Sequence, residues 1–314
     1  MAPSSYWLLG CIFGHASEVS EMVIVSLMGG LGNQMFQYAA ARQITHRLGT
    51  TLKLDITAYT SDPLRTYSLS PFNIQAQFAS AQELAAMRRP YESRMAWYLL
   101  RLNRLLKLPY GWTVLQENHF RPFDSATVRA SGNVYLKGYW QSEKYFADIP
   151  DLIRREFILQ NRPDSANREM AGRIAGAQAV SLHIRRGDYV SNPIIQGIHG
   201  VCDLAYYQAS VERIGEKIAS PHFFVFSDDT TWTQANLRLD YPTTFVTHND
   251  GGNAHKDLRL MSLCRHHIIA NSSFSWWGAW LNPNPDKIVC APARWFNDPA
   301  LDTRDLLPPG WIRV

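Results

Sequence analysis

Arg185 and Arg186 stand side by side and are followed at once by Gly187 and Asp188, within Ala179-Val180-Ser181-Leu182-His183-Ile184-Arg185-Arg186-Gly187-Asp188-Tyr189-Val190. A guanidinium keeps its charge at any working pH and grips phosphate oxygens two at a time, so an adjacent pair suits an anionic ligand. Further along, Asn271-Ser272-Ser273 offers hydroxyls and an amide, and Ser227-Asp228-Asp229 offers two carboxylates. Arginines and serine hydroxyls fit a pyrophosphate; a carboxylate, Asp228 or Asp229, fits the hydroxyls of a ribose or the edge of a base. A surface arginine pair making ordinary salt bridges is the plain alternative.

The elements that must position these groups alternate between strand and helix. Ala179 to Ile184 reads as a short strand that ends at the arginines. A helix is expected from about Asp203 to Ile218, a strand over His222–Phe226 that ends in Ser227-Asp228-Asp229, a strand over Thr243–Thr247 and a helix near His255 to Arg265. His267–Ala270 is the next strand, and Asn271-Ser272-Ser273-Phe274-Ser275 caps a helix through Trp276, Trp277, Trp280 and Leu281; Lys287–Ala291 closes the series. In a parallel sheet the three polar loops open on one edge, and ligands of open α/β sheets bind beyond the carboxyl ends of strands.

The first part of the chain repeats this theme. Val23–Met28 is a strand, Gly29-Gly30-Leu31-Gly32-Asn33 the tight turn after it, Asn33–Leu48 a helix stopped by Gly49, and Thr51–Asp55 a strand. A glycine-rich first turn in a βαβ unit invites an NAD-dependent oxidoreductase, with Asp55 where a ribose-binding acid belongs, but Met35 occupies the place of the third glycine of GxGxxG. Residues 81–107 read as basic amphipathic helices broken at Pro90: Arg88, Arg89, Arg94, Arg101, Arg104 and Lys107 interleave with Met95, Trp97 and leucines. They suit either a solvated face or contact with a membrane. Val134–Trp140 is a strand, Gln141-Ser142-Glu143-Lys144 opens a short helix, and the polar stretch around Pro163 divides the chain into domains of 22–162 and 163–314.

Composition bounds the partners. A net charge of +4 over 314 residues gives no reason to expect nucleic acid but suits an anionic ligand or loose contact with an anionic membrane surface. Cys11, Cys202, Cys264 and Cys290 form no CxxC pattern, which argues against a metal knuckle or disulfide framework and for a cytoplasmic setting. No run of eighteen apolar residues exists. Residues 1–21 hold an apolar patch with no basic flank ahead of a second methionine, Met22, and are expected to be a dispensable extension or the product of a mis-set start. The 10 tryptophans and 14 tyrosines mark either sugar-stacking pockets or core. No aspartate has another two positions on, so the Asp-x-Asp metal triplet of many sugar-nucleotide enzymes is absent and an arginine is expected in that role.

His183 to Val190, together with Gly29-Gly30-Leu31-Gly32-Asn33-Gln34-Met35-Phe36-Gln37-Tyr38-Ala39 and Asn271-Ser272-Ser273-Phe274-Ser275-Trp276-Trp277, resembles the galactoside α-1,2-fucosyltransferase family. Gly138 to Phe146 and His199-Gly200-Val201-Cys202 are similar to its bacterial members, and the likeness runs from Met22 to near the carboxyl end. The resemblance implies an α/β, GT-B-like fold of two Rossmann-type domains facing across a cleft: an acceptor-side domain first, then a GDP-fucose domain. It implies an inverting galactoside 2-alpha-L-fucosyltransferase that needs no metal or other cofactor. The donor would be GDP-L-fucose and the acceptor a galactose-terminated oligosaccharide or lipid-linked glycan of the O-antigen kind. The location would be cytoplasmic, with peripheral contact at the inner membrane open.

Carried over by position, Arg185 would hold the β-phosphate of GDP, with His183 and Arg186 supporting donor and loop. Asn33, beside Gly32 in the glycine loop, would meet the fucose, and Asp228, Ser272 and Ser273 would serve the nucleotide. Asp188 would brace the arginine loop or touch substrate. No motif identifies the base: Asp188, His199 and Asp203 all lie near the arginines, and His199, after Gly197, comes first. A fucosyltransferase of the same fold with another acceptor stays open.

Overall fold

The computed structural model describes residues 21–92, 112–117 and 122–314. All of the expected extension but Glu21 lies outside the described residues. So do the expected basic helices beyond Glu92 and the side chains of Arg88 and Arg89.

Two parallel sheets organise the chain. The first contains β1 (Met22–Ser26), β2 (Thr51–Asp55), β3 (Gln77–Phe78), β4 (Trp112–Gln116) and β5 (Asn133–Lys137), in the order β3-β2-β1-β5-β4. The second contains β6 (Gln178–Ile184), β7 (Pro221–Ser227), β8 (Thr243–Phe245), β9 (His266–Ile268), β10 (Val289–Ala291) and β11 (Ile312–Arg313), in the order β11-β10-β9-β6-β7-β8. Val23, Ile24 and Val25 in β1 and Val180 and Leu182 in β6 are wholly buried, as β-branched and aliphatic runs are when helices cover both faces of a parallel sheet. Strand order reverses between β1 and β5 in one sheet and between β6 and β9 in the other, and such reversals are where α/β sheets open a crevice.

The helices are α1 (Leu31–Leu48), α2 (Ala81–Glu92), α3 (Ser125–Val128), α4 (Pro150–Glu156) and α5 (Ser165–Ala175). They continue with α6 (Gly187–Ser191), α7 (Pro193–His199), α8 (Leu204–Gly215), α9 (Thr230–Asn236), α10 (Ala254–Leu263) and α11 (Ser273–Leu281). Gly49 ends α1 in the left-handed region at φ 65° and returns its N–H to the Thr45 carbonyl. Pro90 does not break α2, which is helical through Glu92, the last described residue of that segment; a proline removes one internal helix bond without having to end the helix. The expected strand through Trp140 stops at Lys137 because the Glu117 carboxylate takes the N–H groups of Tyr139 and Trp140, at 2.6 and 2.9 Å, and turns the chain away.

The tryptophans of α11 answer the question raised by the aromatic content. Trp276 and Trp277 are wholly buried, and the Phe36 ring of α1 lies 4.4 and 4.9 Å from them. Phe146 stacks on Trp277 at 5.4 Å and Phe157 meets it edge-on at 5.2 Å. A helix that starts from the second sheet therefore fills the core of the first. Each indole removes on the order of 200 Å² from water, worth several kcal/mol, so these rings are core and not sugar platforms.

Candidate active site

Arg185 follows the last residue of β6, at the point where the second sheet reverses. Its guanidinium faces Asp228, at the end of β7, at 2.9 Å, and hydrogen-bonds Asp188 in the first turn of α6. Burial alone would lower its pKa; Asp228 and Asp188 outweigh that and hold it above its ordinary value. Arg186 points the other way, 3.5 Å over the Trp232 ring and 3.4 Å from Asp229. Its backbone N–H donates to Asp228 at 2.8 Å. A Cβ on Gly187 would come within 2.4 Å of the same carboxylate, so the glycine is what lets the arginine turn close over Asp228. The expected loop is thus a strand end, an arginine turn and the short helix α6, with both carboxylates bracing it.

The third polar loop joins the same crevice. The Asn271 carbonyl accepts the Tyr189 hydroxyl at 3.3 Å, and the Tyr189 ring lies 5.2 Å from the Arg185 guanidinium. His183, inside β6, is buried against the Phe274 ring at 5.5 Å; burial first and Arg185 second press its pKa down to about 3, so its imidazole is neutral. His199, at the end of α7, lies between Tyr189 at 4.8 Å and Phe296 at 5.2 Å. Burial lowers its pKa against the pull of Asp188, and its Nδ1 has no hydrogen-bond partner among the described residues.

The first sheet supplies the facing wall. Its reversal point emits the glycine turn after β1 and the Gly138–Gln141 turn after β5, and the two are joined by Gln141 Nε2 donating to Asn33 Oδ1 at 2.8 Å. The same oxygen accepts from Ser273 Oγ, at the start of α11, at 2.7 Å. Asn33 therefore ties both crevices together. Gly32 brings the helices that close: a Cβ there would lie 2.5 Å from the backbone of Ser273 and Phe274. The amino termini of α1 and α11 thus abut, and two like helix dipoles side by side favour an anion near their shared mouth.

The other expected residues have local partners of their own. Gly32 is buried, its carbonyl accepts the Trp277 indole N–H at 3.0 Å, and its Cα faces the first turn of α11. Asp203 caps α8 by accepting from Tyr206 N at 2.8 Å. Ser272 is the N-cap residue of α11 but makes no side-chain cap bond, and its backbone N–H goes to the Ala270 carbonyl at 2.8 Å. Asp55 accepts from Thr57 N and Oγ and from the Tyr135 hydroxyl, at 2.9, 2.7 and 2.7 Å; it is a buried brace, not a ribose acid. Arg65 lies in no motif, yet it reaches Asp188 from the first half of the chain; Gln141 lies in the Gly138–Phe146 motif, which gave it no role, and it holds Asn33.

The assembled crevice presents a half-buried guanidinium, two abutting helix amino termini, a neutral histidine and hydroxyls. That set can bind an anionic leaving group, stabilise charge developing on it, and accept a proton. Among the described residues no helix is long and apolar enough to cross a membrane.

Comparison with known proteins agrees. The chain is 34% identical over 296 residues to an alpha-1,2-colitosyltransferase of Escherichia coli, across 94% of this chain and 99% of that one. It is 26% identical over 287 residues to galactoside alpha-(1,2)-fucosyltransferase 2 of Hylobates lar, across 85% of this chain and 71% of the relative. Among solved structures it overlays on a mutant of FUT1 from Arabidopsis thaliana in complex with GDP at 12% identity, with a TM-score of 0.53 over 86% of this chain and 70% of that one. The fold is GT-B-like, as the motifs imply. The profile of glycosyl transferase family 11 matches residues 6–314, starting ahead of Met22, and the chain belongs to that family.

Proposed function

We propose that this protein moves L-fucose from GDP-L-fucose to the 2-hydroxyl of a terminal β-galactoside, with inversion and without a metal ion. The observation that carries this reading is Arg185 at the reversal point of the second sheet, half-buried and linked through Tyr189 to the loop that starts α11. In a single displacement the acceptor oxygen bonds to the anomeric carbon as the bond to the β-phosphate oxygen breaks. Charge builds on the departing diphosphate, and a fixed cation aimed at it lowers the barrier by stabilising that state more than the ground state. The acceptor proton leaves to a base; the neutral His199, whose Nδ1 has no hydrogen-bond partner among the described residues, suits that role, because Asp188 is engaged with two arginines. Asn33 and Ser273, hydrogen-bonded to each other across the crevice, stand where the sugar would be oriented.

The domain division at about Pro163 belongs to the same proposal: residues 163–314 for the nucleotide, 22–162 for the acceptor. Synthesis of a cell-surface glycan from the cytoplasmic side fits it. A second reading has the same chemistry with a different 6-deoxy sugar or acceptor, because the 34%-identical relative is named for colitose.

The test is GDP release from GDP-L-fucose and from GDP-colitose, with EDTA present, offering lactose or another galactosyl disaccharide. Acceptor-dependent release from GDP-L-fucose that survives EDTA supports the proposal; preference for GDP-colitose moves the donor, and dependence on added metal overturns the metal-free mechanism. A melting point raised by NAD and not by GDP would return the oxidoreductase reading, which Asp55 no longer supports.

A further inference from the structure

Asp188 carries two guanidiniums, one on each carboxylate oxygen. Arg185, from the second half of the chain, hydrogen-bonds Oδ1, and Arg65, from the first half, pairs with Oδ2. The arrangement is a single anionic group held between cations from the two walls of the crevice.

Arg65 is placed there by its own half. It lies in the segment after the 3₁₀ turn Thr57–Thr60, where the Asp62 carboxylate accepts from the backbone N–H of Leu64 and Arg65 at 2.9 and 3.1 Å. The next residue is anchored to α1: Gln34, wholly buried, donates to the Thr66 carbonyl and accepts from Ser68 N, both at 2.8 Å. Gln34 is the neighbour of Asn33, so the segment that aims Arg65 and the residue that ties the two crevices share one turn of α1. The Arg65 side chain stays 31% exposed while Asp188 is 18% exposed, so the arginine borders the open crevice with the carboxylate beneath it.

A carboxylate bridging two guanidiniums copies the way a phosphate is held, with one oxygen for each fork. A diphosphate has more oxygens and more charge than a carboxylate, and it competes for the same donors. We propose that Arg65 is a second ligand of the donor's diphosphate, delivered by the N-terminal half, and that Asp188 holds the place of that diphosphate until the donor enters. This rests on the reading of the donor as a GDP-sugar. On donor entry Asp188 gives up Arg65, and the leaving group is then gripped from both walls. Charge stabilisation comes from both walls of the crevice instead of from one sheet alone.

The rival is a purely structural strap, in which Arg65 matters only because it holds Asp188. A double-mutant cycle separates the two. Affinities for GDP, guanosine and inorganic pyrophosphate would be measured by titration calorimetry on the full chain, for wild type, Arg65→Ala, Asp188→Asn and the double variant. Loss of Arg65 is expected to weaken GDP and pyrophosphate about tenfold to a hundredfold, as for a charged hydrogen-bonding partner, and to leave guanosine unchanged. The same loss is expected in the Asp188→Asn background. If the Arg65→Ala effect vanishes once Asp188 is changed, or if guanosine weakens equally, the proposal is overturned. Arg65→Lys keeps the charge and loses the fork; an intermediate affinity with an unchanged melting temperature is expected, which guards against misfolding of the alanine variant. Wild type that binds pyrophosphate through Arg65 yet ignores GDP would sink the GDP-sugar donor and leave Arg65 as an anion ligand, whereas binding of neither would sink both.

Discussion

Trp277 donates its indole N–H to the backbone carbonyl of Gly32 across 3.0 Å and 245 residues of sequence. The bond joins α11, which leaves the second sheet, to the first turn of α1, which leaves the first. It sits next to the Asn33–Ser273 hydrogen bond, so the packing that joins the two halves is also the packing that positions the crevice.

Gly32→Ala tests that contact directly. The added Cβ would meet the Ser273 and Phe274 backbone at 2.5 Å, and backbone cannot rotate aside. A loss of about 1–3 kcal/mol is expected, seen as a fall of several degrees in melting temperature. Gly30→Ala is the control: nothing lies within 4 Å of its Cβ, φ is −78°, and no comparable fall is expected.

Trp277→Phe keeps an aromatic ring but removes the indole N–H that the Gly32 carbonyl accepts in addition to its helix bond. Denaturant unfolding should show a loss of about 0.5–1.5 kcal/mol for the lost hydrogen bond, against about 3–5 kcal/mol for Trp277→Ala, which also empties the space between Phe36, Phe146 and Phe157. No loss in Trp277→Phe would mean that the hydrogen bond contributes nothing, and equal losses for the two variants would mean that the ring adds nothing beyond it.

Arg185→Ala is expected to lower kcat/KM by a factor of about 10²–10³ or more, since one preorganised charge aimed at the leaving group is removed. Arg185→Lys should recover part of this, keeping charge without the two-pronged geometry. Steady-state GDP release measures both. Full activity in Arg185→Ala would remove the residue from the mechanism.

Stability should fall as pH is lowered from about 7.5 to about 5, across the range in which an unfolded histidine gains its proton. His183 is neutral in the fold, with its pKa pressed to about 3, whereas an unfolded histidine titrates near ~6.5. Between those values the unfolded chain binds more protons, so the contribution is present above ~6.5 and is lost as pH falls toward about 3. His267 adds to it. Burial, then Lys287 and His266, lower its pKa; Asn282 Nδ2, which also donates to the Cys264 carbonyl, faces its Nε2 at 2.9 Å, so a second ring proton would meet a donor. Asp257 works in the opposite sense: burial raises its pKa to about 6, and its contribution is lost as pH rises through that value. With two strongly depressed histidines against the raised carboxyls of Asp257 and Glu117, the melting temperature should drop on acidification. A flat or rising profile over that range would contradict this balance.

The arginine turn, the Ser227–Asp229 loop and Asn271–Ser273 were legible because each follows a β-branched or aromatic run whose length and pattern mark a buried parallel strand. Strand patterns also say which end of a sheet a loop occupies, and that was enough to gather Arg185 and Asp228. The glycine turn was legible as a place of close approach but not as to what approaches: a Cβ on Gly32 would meet the first turn of α11. Asp55 misled for the same reason, since spacing from a glycine loop does not record that Thr57 and Tyr135 already use both its oxygens. Arg65, and the contact that Gln141 makes from within its motif, were invisible because the partners lie 123 and 108 residues away and no periodicity encodes such a contact. Two-residue strands such as β3 and β11 are too short to show a period and exist only because a neighbouring strand offers an edge.

The tryptophan helix also bears on how such chains can be recombined. Because α11 is rooted in one sheet and buried in the core of the other, the halves are not interchangeable parts. A hybrid that joins the second half of one relative to the first half of another would press its indoles into a socket shaped by foreign counterparts of Phe36, Phe146 and Phe157. A crossover becomes viable when α1, the Phe146 turn and α4 with Phe157 travel together with α11, so the exchangeable unit is this interlocked set and not either sheet.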